Sequence, residues 1–252
     1  MMSERALAEG FNSFWHEVMP MLTPSFMSLF NERYVYSILE GVDSEEGGIP
    51  LNPNVTDYGI VAEMAFHVAR IAHDRRVPID VVLKDASVRV EIDREIAIFL
   101  ARENVRSRRS DFSSSEDDWN EVGKLTKMYS IFLARYRSEE IQFSPLLPGH
   151  GFLRNCTADL SVGATLYEIK TVTRNFSAHD LRQLFVYLAL QAATGSHRWS
   201  RGGLFNPRRG RAAEFSVEYL LYKVSGGVSA REVFDQILSF LGSRSVVVDS
   251  TF

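Results

Sequence analysis

The sequence predicts an α/β (α+β) protein: a mixed sheet flanked by helices, preceded by a helical N-terminal region. Three observations predict it. Bulky apolar residues recur at helical spacing through the first hundred residues. Short strand-like runs cluster at 140–173 and again beyond residue 200. A long apolar helix with Ser177 as its cap separates the two groups, and a helix crossing between strands builds a mixed or parallel sheet.

From the N-terminus, residues 5–40 carry Leu7, Phe11, Phe14, Trp15, Phe26, Leu29 and Phe30 at helical spacing. Pro20 and Pro24 divide this stretch into short helices. Residues 42–56 are rich in turn formers and read as a loop. Residues 58–74 form an amphipathic helix that stops before Pro78, 79–84 fit either a strand or a helix, and 92–103 read as a helix. The apolar-poor stretch 105–118 is a linker or loop. A helix over 118–136 presents Val122, Leu125, Met128, Tyr129, Phe132 and Leu133 on one face, with Asp117 or Asp118 as its cap. Strand-like runs follow at 140–147, 152–161 and 165–173, the last two joined by a tight turn at Val162-Gly163-Ala164. Then come the helix over 178–193, a strand at 201–206, a turn at 207–210, an alternating run through Phe215, Val217 and Tyr219, and a closing helix over 228–241. Residues 1–110 therefore read as a helical region and 111–252 as the sheet-bearing domain.

With 252 residues, 45% of them hydrophobic, the chain can bury a substantial core. The single cysteine, Cys156, excludes a disulfide framework and a cysteine-based metal cluster, which fits a reducing, cytoplasmic compartment. No apolar run reaches membrane-spanning length, and the glycines form neither a phosphate-cradling loop nor a dinucleotide fingerprint. His67 and His73 have the wrong spacing for a shared ligand face, and no Ser/His/Asp or Cys/His pairing is readable.

Chemistry concentrates at Asp159 and Glu168-Ile169-Lys170. Side chains alternate along a strand, so Glu168 and Lys170 share a face. A short hairpin can bring Asp159 beside them. Two carboxylates at adjacent strands offer hard oxygen ligands to magnesium, and a lysine beside them can orient a water or offset charge. The flanks (Leu160, Val162, Leu166, Tyr167, Ile169, Val172) are apolar, and charges on central strands need a reason. An exposed same-face ion pair on an edge strand is the plainer alternative. Gln183 and Tyr187, four apart on the next helix, share a face with Arg182 as neighbour. Between Lys170 and Arg211 stand eight basic residues against one acid, Asp180, in a chain of net charge -4. Arg174, Arg182, Arg208, Arg209 and Arg211 are therefore the candidate phosphate contacts.

The pattern TADLSVGATLYEIKT followed by HDLRQLFVY resembles the PD-(D/E)XK nuclease superfamily, within it the RecB and lambda-exonuclease branch with its Q-x-x-x-Y motif. The resemblance covers about residues 118–222, and Ala158 stands where the superfamily's name has proline. It implies a restriction-endonuclease-like sheet and a nuclease that hydrolyses phosphodiester bonds of DNA. Asp159 and Glu168 would bind Mg2+ or Mn2+, Lys170 would be the catalytic lysine, and Gln183 and Tyr187 would support them. An acidic residue on the helix before the sheet is a further expected ligand. Glu121 is the candidate, with Glu139 and Glu140 as competitors. The resemblance also points to phage defence or restriction, with a defence-system partner protein or a second copy of the chain as further partners. The alternatives are a catalytically silent nuclease-fold subunit that binds nucleic acid or a protein, and an RNA-cleaving, toxin-like nuclease.

Overall fold

The computed structural model describes residues 2–39, 48–102, 113–196 and 198–243. The chain forms two compact units. One comprises Met1–Tyr36, Ser138–Asn206 and Arg211–Phe252; the other comprises Ser37–Arg137 and Pro207–Gly210.

The first unit begins with α1 (Glu4–Glu9), α2 (Asn12–Val18), α3 (Pro24–Arg33) and strand β1 (Val35–Ser37). The expected division at residue 110 places this segment with the other helices, whereas it packs into the sheet-bearing unit. Leu7, Trp15 and Phe30 share one buried core with Leu184, Phe185 and Phe215. Asn31 ties the segment down by accepting from Phe176 N at 3.1 Å and donating to Phe176 O at 2.9 Å. Periodicity reports that a segment is helical and apolar on one side; it does not report which partner covers that side.

The second unit is helical: α4 (Tyr58–Arg75), α5 (Ile79–Lys84), α6 (Ala86–Arg102) and α7 (Glu116–Leu133). The stretch 79–84, open between strand and helix, is helical. Of the expected 105–118 loop, the part up to residue 112 lies outside the described residues. Ser115, not Asp117 or Asp118, caps α7: its Oγ accepts from Asp118 N, and Asp118 Oδ2 accepts in return from Ser115 N. Asp118 also accepts from Thr56 N at 3.1 Å. Burial pushes the Asp118 carboxyl up, but these hydrogen bonds outweigh it and hold it below the usual range.

The chain returns to the first unit through β2 (Ile141–Phe143), β3 (Leu146–Leu147), β4 (Cys156–Thr157), β5 (Leu160–Val162), β6 (Thr165–Ile169), α8 (Ala178–Ala193), β7 (Arg201–Asn206), β8 (Arg211–Ser216), α9 (Val217–Val224) and α10 (Ala230–Gly242). Six strands form a mixed sheet in the order β1-β8-β7-β6-β5-β2, and β3 pairs with β4 separately. This is the helix-flanked α/β arrangement that the sequence predicts. The β5–β6 hairpin turns at Gly163, whose φ of +52° suits glycine. β6 and β7 run parallel, with α8 as the crossover between them. At Gly203 the β7 backbone passes against the Tyr167 ring, where a Cβ would collide with it.

Four strand expectations differ. The run 140–147 divides into β2 and β3, and the run 165–173 ends as strand at Ile169, just before Lys170. The run 152–161 divides into β4 and β5, because Ala158 N bonds to Pro145 O and Ser144 N bonds to Asp159 O, leaving Asp159 at a bend. The alternating run through Phe215, Val217 and Tyr219 ends as strand at Ser216, whose Oγ accepts from Tyr219 N and starts α9. No helix among the described residues is long and apolar enough to cross a membrane.

Candidate active site

The hairpin and the crossover helix bring five of the candidate residues together within the sheet-bearing unit. Leu160 pairs with Tyr167 across the hairpin, and Asp159 precedes Leu160 at the bend where that pairing ends. Asp159 Oδ2 accepts from the backbone N–H of Ile169 at 2.6 Å, which holds the carboxylate beside the end of β6. Lys170 Nζ lies 2.7 Å from Glu168 Oε1 and donates to Gln183 Oε1 at 2.8 Å. Gln183 Nε2 donates in turn to the Tyr187 hydroxyl at 2.9 Å. The i,i+4 spacing on α8 makes that last bond, since residues four apart stack one turn above another.

This group is dry. Glu168 is 2% exposed, Gln183 7% and Tyr187 1%. Glu168 Oε2 is buried with no hydrogen-bond partner among the described residues. Burial drives the Glu168 carboxyl well up, with the Asp159 charge adding and Lys170 opposing. Burial pulls the Lys170 ammonium down, but Glu168 outweighs it and Asp159 adds, so the amine is held charged. The Tyr187 hydroxyl is held well above its ordinary value, first by burial and then by the charges of Glu168, Asp159 and Glu4.

The segment after β6 is pinned at several points. Val172 O accepts from Asn206 Nδ2 at 2.8 Å. Arg174 grips Asp180 with two nitrogens, at 2.7 and 2.8 Å. Asp180 also accepts from Ser177 N at 2.8 Å, closing the N-terminal cap of α8. Burial raises the Asp180 carboxyl, yet Arg174 and the Ser177 N–H bring it below its usual value. A depressed carboxyl contributes stability that is present above the unfolded value and is lost as pH falls through the folded one. Arg174→Gln is therefore expected to weaken the fold at pH 7, by urea denaturation. The difference from the native chain should shrink toward zero below the ordinary carboxylate range, where Asp180 is protonated in both. A deficit that persists in acid would assign the loss to packing.

Glu121 belongs to the other compact unit. It lies in the helical unit, 0% exposed, where Arg208 Nη1 meets its Oε1 at 2.6 Å and Lys124 Nζ its Oε2 at 3.4 Å. Its expected role as a metal ligand is corrected on that ground: the carboxylate already serves an internal ion pair. The same pair removes Arg208 from the phosphate contacts. Arg208 is 1% exposed, and its guanidinium packs over the Tyr58 ring at 5.2 Å. Arg211 is also buried, 8% exposed, which removes it as an open phosphate contact. Arg209 is half-buried in the turn. Arg174 and Arg182 are the basic candidates at the N-terminal end of α8. Arg182 packs over Trp15 at 5.6 Å and donates to Asn12 Oδ1 at 3.4 Å. Glu140, a competitor of Glu121, is exposed and pairs with Arg198 at 2.8 Å.

Two residues near the group escape a sequence reading. Asp180 was signalled by the Ser177-x-x-Asp180 capping box, which marks a helix start but not a charge beside a site. Glu4 had no signal: a short N-terminal helix brings its Oε1 to 3.5 Å from the Tyr187 hydroxyl, 183 positions away. Cys156 is buried, and burial pushes its thiol up to about 12, which disfavours the thiolate.

Among the described residues, no three His, Cys, Asp or Glu side chains stand together as an ion-holding group. Two carboxylates are nevertheless a sufficient protein share for Mg2+, which keeps several waters and takes its remaining oxygens from substrate phosphate. The unpartnered Glu168 Oε2, close enough to Asp159 for that charge to raise the Glu168 carboxyl, fits such an ion. No protein-family model matches the chain, and no curated protein is similar enough to count as a relative.

Proposed function

We propose that this chain is a divalent-metal-dependent phosphodiesterase that hydrolyses nucleic acid, with DNA as its substrate. The observation that carries the reading is the grouping of Asp159, Glu168 and Lys170 at one end of paired strands, with a buried carboxylate oxygen left unpartnered. Holding the half-buried Asp159 carboxylate beside the buried Glu168 is costly unless a cation offsets them, and one ammonium offsets only one. Asp159 and Glu168 would hold Mg2+ or Mn2+, which supplies Lewis-acid charge at the phosphoryl group when bound.

The chain's own residues do the rest. Lys170 offers its one remaining N–H to the attacking water or to a non-bridging phosphate oxygen, fixed in place by Glu168 on one side and Gln183 on the other. Gln183 and Tyr187 hold that amine from α8. Arg174 and Arg182 offer positive charge at the start of α8 for the backbone of the polyanion. The resemblance of about residues 118–222 to the RecB and lambda-exonuclease branch supports DNA as the substrate and a place in phage defence or restriction.

The test is incubation of the full chain with duplex DNA, single-stranded DNA and RNA, each with Mg2+, Mn2+ or a chelator. DNA cleavage with either ion and none with chelator is the expected result. Cleavage of RNA alone would redirect the reading to a ribonuclease. Binding without cleavage under every condition would make the chain a silent nucleic-acid-binding subunit.

A further inference from the structure

We infer that Glu4 is a positioning residue: its carboxylate accepts a hydrogen bond from the Tyr187 hydroxyl and so fixes the direction of the hydrogen bonds that hold Lys170. An ammonium has only protons to give, so the Gln183 group facing Lys170 must be its amide oxygen. That leaves the Gln183 NH2 facing Tyr187, whose hydroxyl oxygen therefore accepts. The one hydroxyl proton must go elsewhere, and Glu4 Oε1 stands 3.5 Å away, at the long end of the hydrogen-bond range.

Tyr187 is 1% exposed, so water is a poor substitute acceptor. Remove the Glu4 carboxylate and the hydroxyl turns its proton toward Gln183. The amide then gains by flipping, which presents its NH2 to the Lys170 ammonium, donor against donor. Lys170 would keep Glu168 as its partner but lose its second anchor. Helix α1 can fill this role because it is held at several points: Ser3 Oγ accepts from Ala6 N, Met2 N donates to Phe152 O, and Leu7 and Ala8 are buried. The Glu4 charge also reaches Tyr187, where it adds to the upward displacement of the hydroxyl.

The positioning claim rests on the phosphodiesterase reading only for its catalytic consequence, so the test reads both separately. The Gln183 side-chain amide protons of the 15N-labelled full chain are assigned by their loss in Gln183→Met. Glu4→Ala should shift them and speed their exchange with solvent, while Glu4→Gln, which keeps an acceptor oxygen, should leave them near their native positions. In the DNA cleavage assay, Glu4→Ala should lower kcat by about tenfold with KM within about twofold, and Glu4→Gln should recover most of the loss. Amide signals that move as expected in a chain that cleaves nothing would uphold the positioning role and reject the phosphodiesterase reading. Amide signals unchanged in Glu4→Ala would overturn the positioning role, whatever the activity. So would loss of Mn2+ affinity in Glu4→Gln with the amide undisturbed, which would make Glu4 a ligand instead.

Discussion

Glu168→Gln is expected to lower metal-dependent cleavage about a thousandfold, roughly 4 kcal/mol of transition-state stabilisation, and to abolish Mn2+ binding. Gln has nearly the same shape, but its amide cannot supply the anionic oxygens that a hard cation requires. The fold should survive, because the substitution removes a fully buried charge whose Oε2 has no partner. Lys170→Met makes the complementary case. It should reduce cleavage comparably while Mn2+ still binds, since the carboxylates remain and lose only a competing cation. Calorimetric titration of Mn2+ into both variants separates the two roles. Native-like cleavage by either variant would remove that residue from the chemistry.

The second large effect lies in the helical unit. Arg208→Met should destabilise the protein by about 3–5 kcal/mol, the cost of leaving a buried carboxylate without its partner. Glu121 is 0% exposed and depends on Arg208 Nη1 at 2.6 Å; Lys124, half exposed and at 3.4 Å, is a weaker substitute. Pairing the change with Glu121→Gln should return most of that stability, because the pair is costly mainly when broken on one side. Thermal denaturation of the single and double variants measures this. An Arg208→Met chain of native stability but weakened DNA binding would restore the phosphate-gripping role that the burial of Arg208 argues against.

The fate of Arg208 marks where a sequence stops being informative. Pro207-Arg208-Arg209-Gly210 reads as a basic turn, and turns are usually solvated. Nothing local says that this one is buried in a helical unit against a glutamate 87 positions earlier. Charge summed along the chain therefore overstated the open positive surface around the site. The catalytic candidates were legible for the opposite reason. Glu168 lies on β6 with Lys170 just past its end, one short hairpin brings in Asp159, and one helical turn sets Gln183 by Tyr187, so nearly local signals suffice. Glu4 is placed by the tertiary path of the N-terminal segment, which no periodicity encodes. The 79–84 helix was undecidable because a six-residue apolar run satisfies both periods. The break at Asp159 was hidden because it depends on backbone bonds to Ser144 and Pro145 from another strand pair.

The claim on which the rest depends is that one divalent ion sits between the carboxylates of Asp159 and Glu168. Anomalous scattering from crystals soaked in Mn2+ tests it directly. The account predicts a peak within coordination distance of both carboxylates, lost in Glu168→Gln. A saturated crystal with no peak there, or with one that touches neither side chain, would contradict it.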